Sequence, residues 1–144
     1  EFGIAPETIL IDPIQTPVNV QQNQIMSVLE FMKMFQDIAP GCRSTIGLSN
    51  VSNGPPDHLR PILNQVMLVI WKRHGLYSAI VDTFDTPLHD IARGKRPDLE
   101  QLVHKIEDGT PIDMASLTKE QADFVKTAKV ILGHALYSDS WLEL

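Results

Sequence analysis

The sequence predicts an α/β fold built from parallel βα units. Three short apolar runs, at residues 8–11, 44–48 and 78–81, each end in a polar or turn-forming residue. Such short, continuous runs are typical of strands that are buried on both faces, as in parallel sheets. Helical patterns fill the segments between them, so the order over residues 8–82 is β-α-β-α-β. This alternation predicts a parallel sheet with crossover helices.

Two apolar patterns with helical spacing predict the crossover helices. The first covers residues 23–37 and the second covers about 59–73, where Gly75 provides the stop. Polarisable methionines fill gaps in apolar cores, so four of them are predicted to be core residues. They are Met26, Met32, Met34 and Met67.

The last third of the chain predicts two more helices. Pro97 fits the first turn of a helix that runs to about residue 108. Thr118 and Gln121 have the spacing of a capping box, and the helix that follows is expected to reach about residue 132. We expect Trp141 to anchor the tail because a large indole is rarely left in solvent.

Composition excludes several classes of protein. The chain has 144 residues, of which 43% are hydrophobic and 21% charged, with a net charge of -6. The negative charge argues against a nucleic-acid partner, and the longest apolar runs are too short for a membrane span. A single cysteine, Cys42, allows no internal disulfide, and with no signal-peptide pattern this predicts a cytoplasmic protein. A complete eight-stranded α/β barrel of about 250 residues does not fit this length.

Polar residues at the carboxyl ends of the predicted strands are the candidates for chemistry. Such strand ends carry the active sites of parallel α/β folds, and here they hold Asp12, Asn50 and Asp82. Asp12 also fits a plain loop residue before a proline. For Asp82 and Asp85 we favour a strand-end residue and a helix cap over a paired-carboxylate or metal site.

The polar segment 49–57 follows the second strand. A hairpin turn at Asn53-Gly54 is one interpretation, but parallel strands favour a βα loop with Asp57 as a helix cap. A serine hydrolase is disfavoured because the second glycine of Gly-x-Ser-x-Gly is missing. Since the five histidines show no spacing of three or four residues, no metal site is predicted.

Three blocks of the sequence resemble one enzyme family. They are EFGI, ILIDP and TPVNV within residues 1–20, IGLSNVS at 46–52, and RPILN, GL and AIVD within 60–82. In this order and spacing they resemble the methyltetrahydrofolate:corrinoid/iron-sulfur protein methyltransferases of anaerobic bacteria. The wider group includes the folate domain of cobalamin-dependent methionine synthase and, more distantly, dihydropteroate synthase. GLSNVS is the most specific block, and residues 128–144 also resemble the family's C-terminal end.

The resemblance implies a fold and an activity. The fold is a TIM (β/α)8 barrel whose mouth binds the pterin of 5-methyltetrahydrofolate, in an enzyme expected to be a homodimer. A partner protein carries the corrinoid (cobalamin), and methyl moves between N5 and cobalt in either direction. Asp12 matches the family's pterin-binding aspartate, and Asn50 matches its catalytic asparagine, which hydrogen-bonds N5. In the matched loop, Ser52, Asn53 and Arg60 are implied to support the ligand.

The resemblance also implies that residues 1–144 are the C-terminal part of the barrel. The match begins before roughly the sixth strand, so the N-terminal half is missing, and three strands cannot close a barrel. Residues 88–121 are a helical insertion relative to compact members. We expect this insertion to adjust contacts with the corrinoid partner or between subunits. A role as a lid or in packing is equally open.

Three alternatives remain at this stage. The chain is a non-catalytic fragment, one half of a split barrel that needs a second chain, or a dihydropteroate synthase-like pterin enzyme. The Ser-Asn-Val-Ser sequence at residues 49–52 disfavours the last of these.

Overall fold

The computed structural model describes residues 3–143 as an α/β fold with a small sheet; Glu1, Phe2 and Leu144, which belong to the matched blocks, lie outside the described residues. The strands are β1 (Leu10–Ile11), β2 (Arg43–Gly47) and β3 (Ser78–Ile80). The helices are α1 (Val18–Lys33), α2 (Phe35–Ile38), α3 (Arg60–Arg73), α4 (Thr86–Ala92), α5 (Pro97–Glu107) and α6 (Lys119–Ile131). Short 3-10 turns lie at Pro6–Thr8, Leu48–Ser52, Asp57–Leu59 and Met114–Ser116.

The sheet is parallel and follows the order of the chain, β1-β2-β3. Ile11 pairs with Ser44 in the first ladder, and Ile46 pairs with Ala79 in the second. Helices α1 and α2 connect β1 to β2, and α3 connects β2 to β3. The predicted parallel βα units are therefore confirmed, and the hairpin interpretation of Asn53-Gly54 is wrong.

Element boundaries near the N-terminus differ from the prediction. The first strand covers only Leu10–Ile11, because the residues just before it form the 3-10 turn Pro6–Thr8. Helix α1 begins at Val18, directly after Pro17, and is followed at Phe35 by the short helix α2. Proline has no backbone N–H, so Pro17 leaves no unpaired donor where the helix begins. The apolar pattern alone does not show this earlier start.

Helix α3 is the centre of the core. Its Leu63, Val66 and Ile70 are fully buried, and it packs against α4, α5 and α6. Ile46 on β2 is also fully buried. The predicted core methionines divide, since Met32 and Met67 are buried whereas Met26 and Met34 lie at the surface.

The sheet is not buried on both faces among the described residues, and this corrects the sequence prediction. Leu10 on β1 is 54% exposed and Ile80 on β3 is 72% exposed. Ser44 and Ile46, which alternate with exposed or half-exposed neighbours on β2, are buried. One face of the sheet therefore packs against the rest of the chain, and the other stands open.

The predicted features of the last third are confirmed. Pro97 lies in the first turn of α5, and both hydrogen bonds of the Thr118–Gln121 capping box are present. Trp141 is buried, and its indole Nε1 donates to Thr127 Oγ1 at 2.9 Å. The region 88–121 is largely helical and is joined to α3 by the ion pair of Lys72 with Glu100 at 2.7 Å.

Across residues 3–143, no helix combines the length and apolar character needed to cross a bilayer.

Candidate functional site

The candidate site lies where the three parallel strands end. Because parallel strands place their carboxyl ends at the same edge, the loops that follow β1, β2 and β3 share one side of the sheet. These loops contain Asp12, Asn50 and Asp82, each at the surface. Asn50 follows the middle strand β2, and Asp12 and Asp82 follow the two flanking strands.

The loop after β1 is held in a strained turn. The backbone N–H of Ile14 donates to Asp12 Oδ1 at 2.8 Å, and Ile14 has a φ of 67°. A β-branched residue is unfavourable in this left-handed region, so surrounding contacts must hold it there. The next residue provides one, because buried Gln15 accepts a hydrogen bond through Oε1 from Trp71 Nε1 at 2.7 Å.

The loop after β2 begins with the 3-10 turn Leu48–Ser52, which carries Asn50. The Asn50 amide lies over the end of the strand, since a Cβ built on Gly47 would be only 3.2 Å from Asn50 Nδ2. Gly47 has φ -80° and ψ 90°, a backbone conformation open to other residues. A larger residue at this position would therefore require the Asn50 amide to shift by a few tenths of an ångström.

The remaining residues predicted in this loop have different environments. Ser52 is fully buried, and its hydroxyl donates to Asn64 Oδ1 at 2.8 Å, so it is placed to support the loop from below. Arg60 Nε donates to Ser52 Oγ at 3.4 Å, whereas Asn53 is exposed. Asp57 does not cap α3 as predicted: no side chain caps this helix, and Asp57 lies fully exposed 3.8 Å from Arg60 Nη1.

The loop after β3 is shaped by two aspartates. Asp82 Oδ1 accepts from the backbone N–H of Phe84 at 2.8 Å, and Asp85 Oδ1 accepts from the N–H of Leu88 at 3.0 Å. Asp85 is thus the N-cap of α4, which confirms the favoured interpretation. Between them, Phe84 is 91% exposed.

A cleft of about 690 Å³ separates the loops after β2 and β3. It brings together Arg60 and Asp82, two of the residues singled out in the sequence, and its lining does not include Asp12, Asn50, Ser52 or Asn53. Other residues that line it include Ser49, Asp57, Asn64, Gln65, Ile80, Phe84 and Asp85.

Sequence reasoning missed Asn64 and Gln65, although the sequence contains a pattern that could have identified them. They are the only polar residues in the run from Pro61 to Trp71, a run that otherwise reads as a buried helix. Polar side chains buried within an apolar helix need partners, which marks them as candidates for a network.

Within the described part of the chain, no three His, Cys, Asp or Glu side chains meet as a potential metal centre. A comparison of the sequence with protein-family models finds no match.

Proposed function

We propose that this chain is part of a methyltransferase that moves a methyl group between N5 of 5-methyltetrahydrofolate and the cobalt of a corrinoid protein. The observation that carries the proposal is the placement of the GLSNVS block. Its asparagine, Asn50, follows the central strand of a parallel sheet, and aspartates follow both neighbouring strands. Such a strand-end arrangement suits a ligand that presents several donors and acceptors.

Pterin recognition is assigned to Asp12. The pyrimidine edge of a pterin presents adjacent N–H donors on its ring amide and 2-amino group, and a fixed carboxylate accepts both. The turn at Ile14 and the bond of Gln15 to Trp71 limit the movement of this carboxylate. Arg60 and Asn53 are assigned to the polar part of the same ligand, and Ser52 to support of the loop.

Activation of N5 is assigned to Asn50. A tertiary amine is a poor leaving group, so N5 must gain positive character before the methyl group departs. The amide oxygen of Asn50 accepts a hydrogen bond from protonated N5 but cannot itself supply the proton. A bond that strengthens as N5 becomes charged stabilises the transition state more than the bound substrate. The corrinoid, held by a partner protein, supplies the metal that exchanges the methyl group.

The complete fold in this proposal is a TIM (β/α)8 barrel, to which residues 1–144 contribute the C-terminal part. The open face and outer strands of the sheet support it, since Leu10 and Ile80 need neighbours to be buried. Unpaired strand edges likewise need partners. Further βα units, from this polypeptide or from a second one, would close the barrel around the site.

The decisive experiment replaces Asn50 in the protein assembled with its other barrel strands. We expect Asn50→Ala to lower the methyl-transfer rate by about 10²–10³-fold, the usual effect of losing one transition-state hydrogen bond. Folate affinity should change much less. Asn23→Ala, at an exposed position of α1, is the matched control and should leave both unchanged. If Asn50→Ala altered neither rate nor affinity, the assignment would be lost.

Titration with 5-methyltetrahydrofolate tests the state of this chain. Binding only after an N-terminal barrel half is added supports the split barrel, for which the exposed Ile80 on the outer strand β3 is the specific observation. Binding by the chain alone contradicts an inert fragment. Product analysis detects dihydropteroate, and the cobalt absorption change detects methylcobalt. Formation of dihydropteroate without methylcobalt would contradict methyl transfer.

A further inference from the structure

Two neighbouring side chains on α3 reach towards different loops of the candidate site. Asn64 is 7% exposed and Gln65 is 9% exposed, in a helix whose other buried residues are apolar. Burial of an amide is unfavourable unless its polar atoms are hydrogen-bonded, so these side chains must be explained by their partners.

Asn64 holds the loop that follows β2. Its Oδ1 accepts from the hydroxyl of fully buried Ser52 at 2.8 Å. The same hydroxyl oxygen is 3.0 Å from the carbonyl oxygen of Ser49, at the start of the turn. These two oxygens compete for the single hydroxyl proton. With the bond to Asn64 formed, Asn64 is linked through Ser52 to the C-terminal end of the turn that contains Asn50.

Gln65 holds the loop that follows β3. Its Nε2 donates to both carboxylate oxygens of Asp85, at 2.9 and 3.2 Å. Asp85 also caps α4 and ends the turn that carries Asp82 and Phe84. A hydrogen bond to a carboxylate is stronger than one between neutral groups, so this contact ties the loop to α3.

We propose that Asn64 and Gln65 are positioning residues that set the two walls of the cleft relative to each other. The expected effect on rate rests on the proposed function, because the reaction measured is methyl transfer. One helix carries both side chains at adjacent positions, so a displacement of the first loop would break a buried hydrogen bond and a displacement of the second a partly buried one. Misplacement of reacting groups by about 1 Å can lower a rate by about 10²-fold without removing any catalytic group.

The test exchanges donor and acceptor between Gln65 and Asp85. In Gln65→Glu two carboxylates face each other, and the helix-to-loop bond is lost. In the double variant Gln65→Glu/Asp85→Asn the new amide donates to the new carboxylate, and asparagine still serves as an N-cap. Gln101→Glu, on the exposed side of α5, controls for the added charge.

Two measurements are made on each variant of the assembled protein. Gln65→Glu should speed amide hydrogen exchange at residues 83–86 and 88 by about tenfold, as expected for loss of one hydrogen bond to a carboxylate. It should lower kcat by about 10–100-fold with a smaller change in KM. The double variant should restore most of both losses, and Gln101→Glu should match the wild type.

The outcomes separate this inference from the proposed function. Unchanged exchange in Gln65→Glu, or a double variant no better than the single one, overturns the positioning role. If the wild-type assembly transfers no methyl group, the proposed function fails, and the exchange data alone still decide whether the pair holds the loop. If transfer occurs and Gln65→Glu loosens the loop without lowering kcat, the positioning role is refuted and the function stands.

Discussion

The two faces of the small sheet differ sharply. On one face, Ile46 of β2 is fully buried and lies in the same core cluster as the apolar residues of α3. On the other side, Leu10 and Ile80 lie largely in solvent. The same three strands thus have one face packed in the core and one face open to solvent.

This difference separates what holds the chain together from what would make it active. The helical layer of α3, α5 and α6 supplies more than half of the buried hydrophobic residues, and their burial drives folding. The strand ends and their polar loops lie at the carboxyl edge of the sheet, beyond this layer. Variants on the two sides should therefore behave differently, and four of them test this in decreasing order of expected effect.

The largest effect is expected for Ile46→Ala. Removing a fully buried isoleucine side chain costs about 2–5 kcal/mol of unfolding free energy. Ile80→Ala is the matched variant on the open face and should cost less than about 0.5 kcal/mol in the isolated chain. Chemical denaturation measures both. Equal losses would show that the two faces do not differ as described, and a greater Ile80 effect after addition of other barrel strands would support closure.

A smaller effect is expected for Trp71→Phe, which tests how the core is joined to the site. Phenylalanine keeps most of the apolar volume but leaves the buried Gln15 Oε1 without its 2.7 Å donor. The expected loss is about 1–3 kcal/mol, together with faster exchange at residues 12–16. Trp141→Phe removes the other indole bond, to Thr127, and serves as the control. It should destabilise the tail without altering exchange in the loop after β1.

Gly47→Ala tests the position of the Asn50 amide at the end of β2. The backbone accepts alanine, but the new Cβ would lie 3.2 Å from Asn50 Nδ2. We expect about a tenfold loss in methyl-transfer rate from displacement of the amide and little change in melting temperature. In an Asn50→Ala background the same substitution should have no further effect on rate, because the displaced group is absent. Additive losses in the double variant would contradict this coupling.

The smallest effect concerns the surface ion pairs at the N-terminal ends of α5 and α6. Hydrogen bonds from Arg96 hold the pKa of both Asp98 and Glu120 below their ordinary values. Carboxylates with lowered pKa stabilise the fold above the pKa of the unfolded chain, near pH 4, and lose this contribution as pH falls through the folded value. These groups are partly exposed, so Arg96→Met should cost only about 0.2–1 kcal/mol at pH 7.

Denaturation at pH 7 and at acidic pH measures the Arg96 effect. The difference between Arg96→Met and wild type should shrink as the pH is lowered below 4. A constant difference across this range would assign the loss to packing of the arginine stem instead.

Local patterns predicted most of the secondary structure. Pro97, the Thr118–Gln121 capping box and the burial of Trp141 all agree with the structure, because each depends on residues close in sequence or on a strong burial preference. The second and third strands were also predicted, with ends that differ by a residue. The exposure of Met26 and Met34 was not, because helical periodicity alone did not define the buried face.

The candidate site was predicted less completely. The strand-end positions of Asp12, Asn50 and Asp82 follow from the βα alternation. The partners of Asn64 and Gln65 do not, because Ser52 and Asp85 lie 12 and 20 residues away and approach α3 only after the sheet has formed. Burial of Ser52 likewise depends on tertiary packing, and the resemblance that implied its support of the ligand does not show it.

The parallel direction of the three strands limits the ways in which the sheet can grow. A second copy that extends it in parallel and keeps the same face inward must join β1 of one chain to β3 of the other, so the addition is head to tail and not two-fold symmetric. Copies of this segment supply strands in threes, and eight is not a multiple of three. The proposed barrel therefore cannot be a ring of identical segments, and a different sequence must supply the other strands.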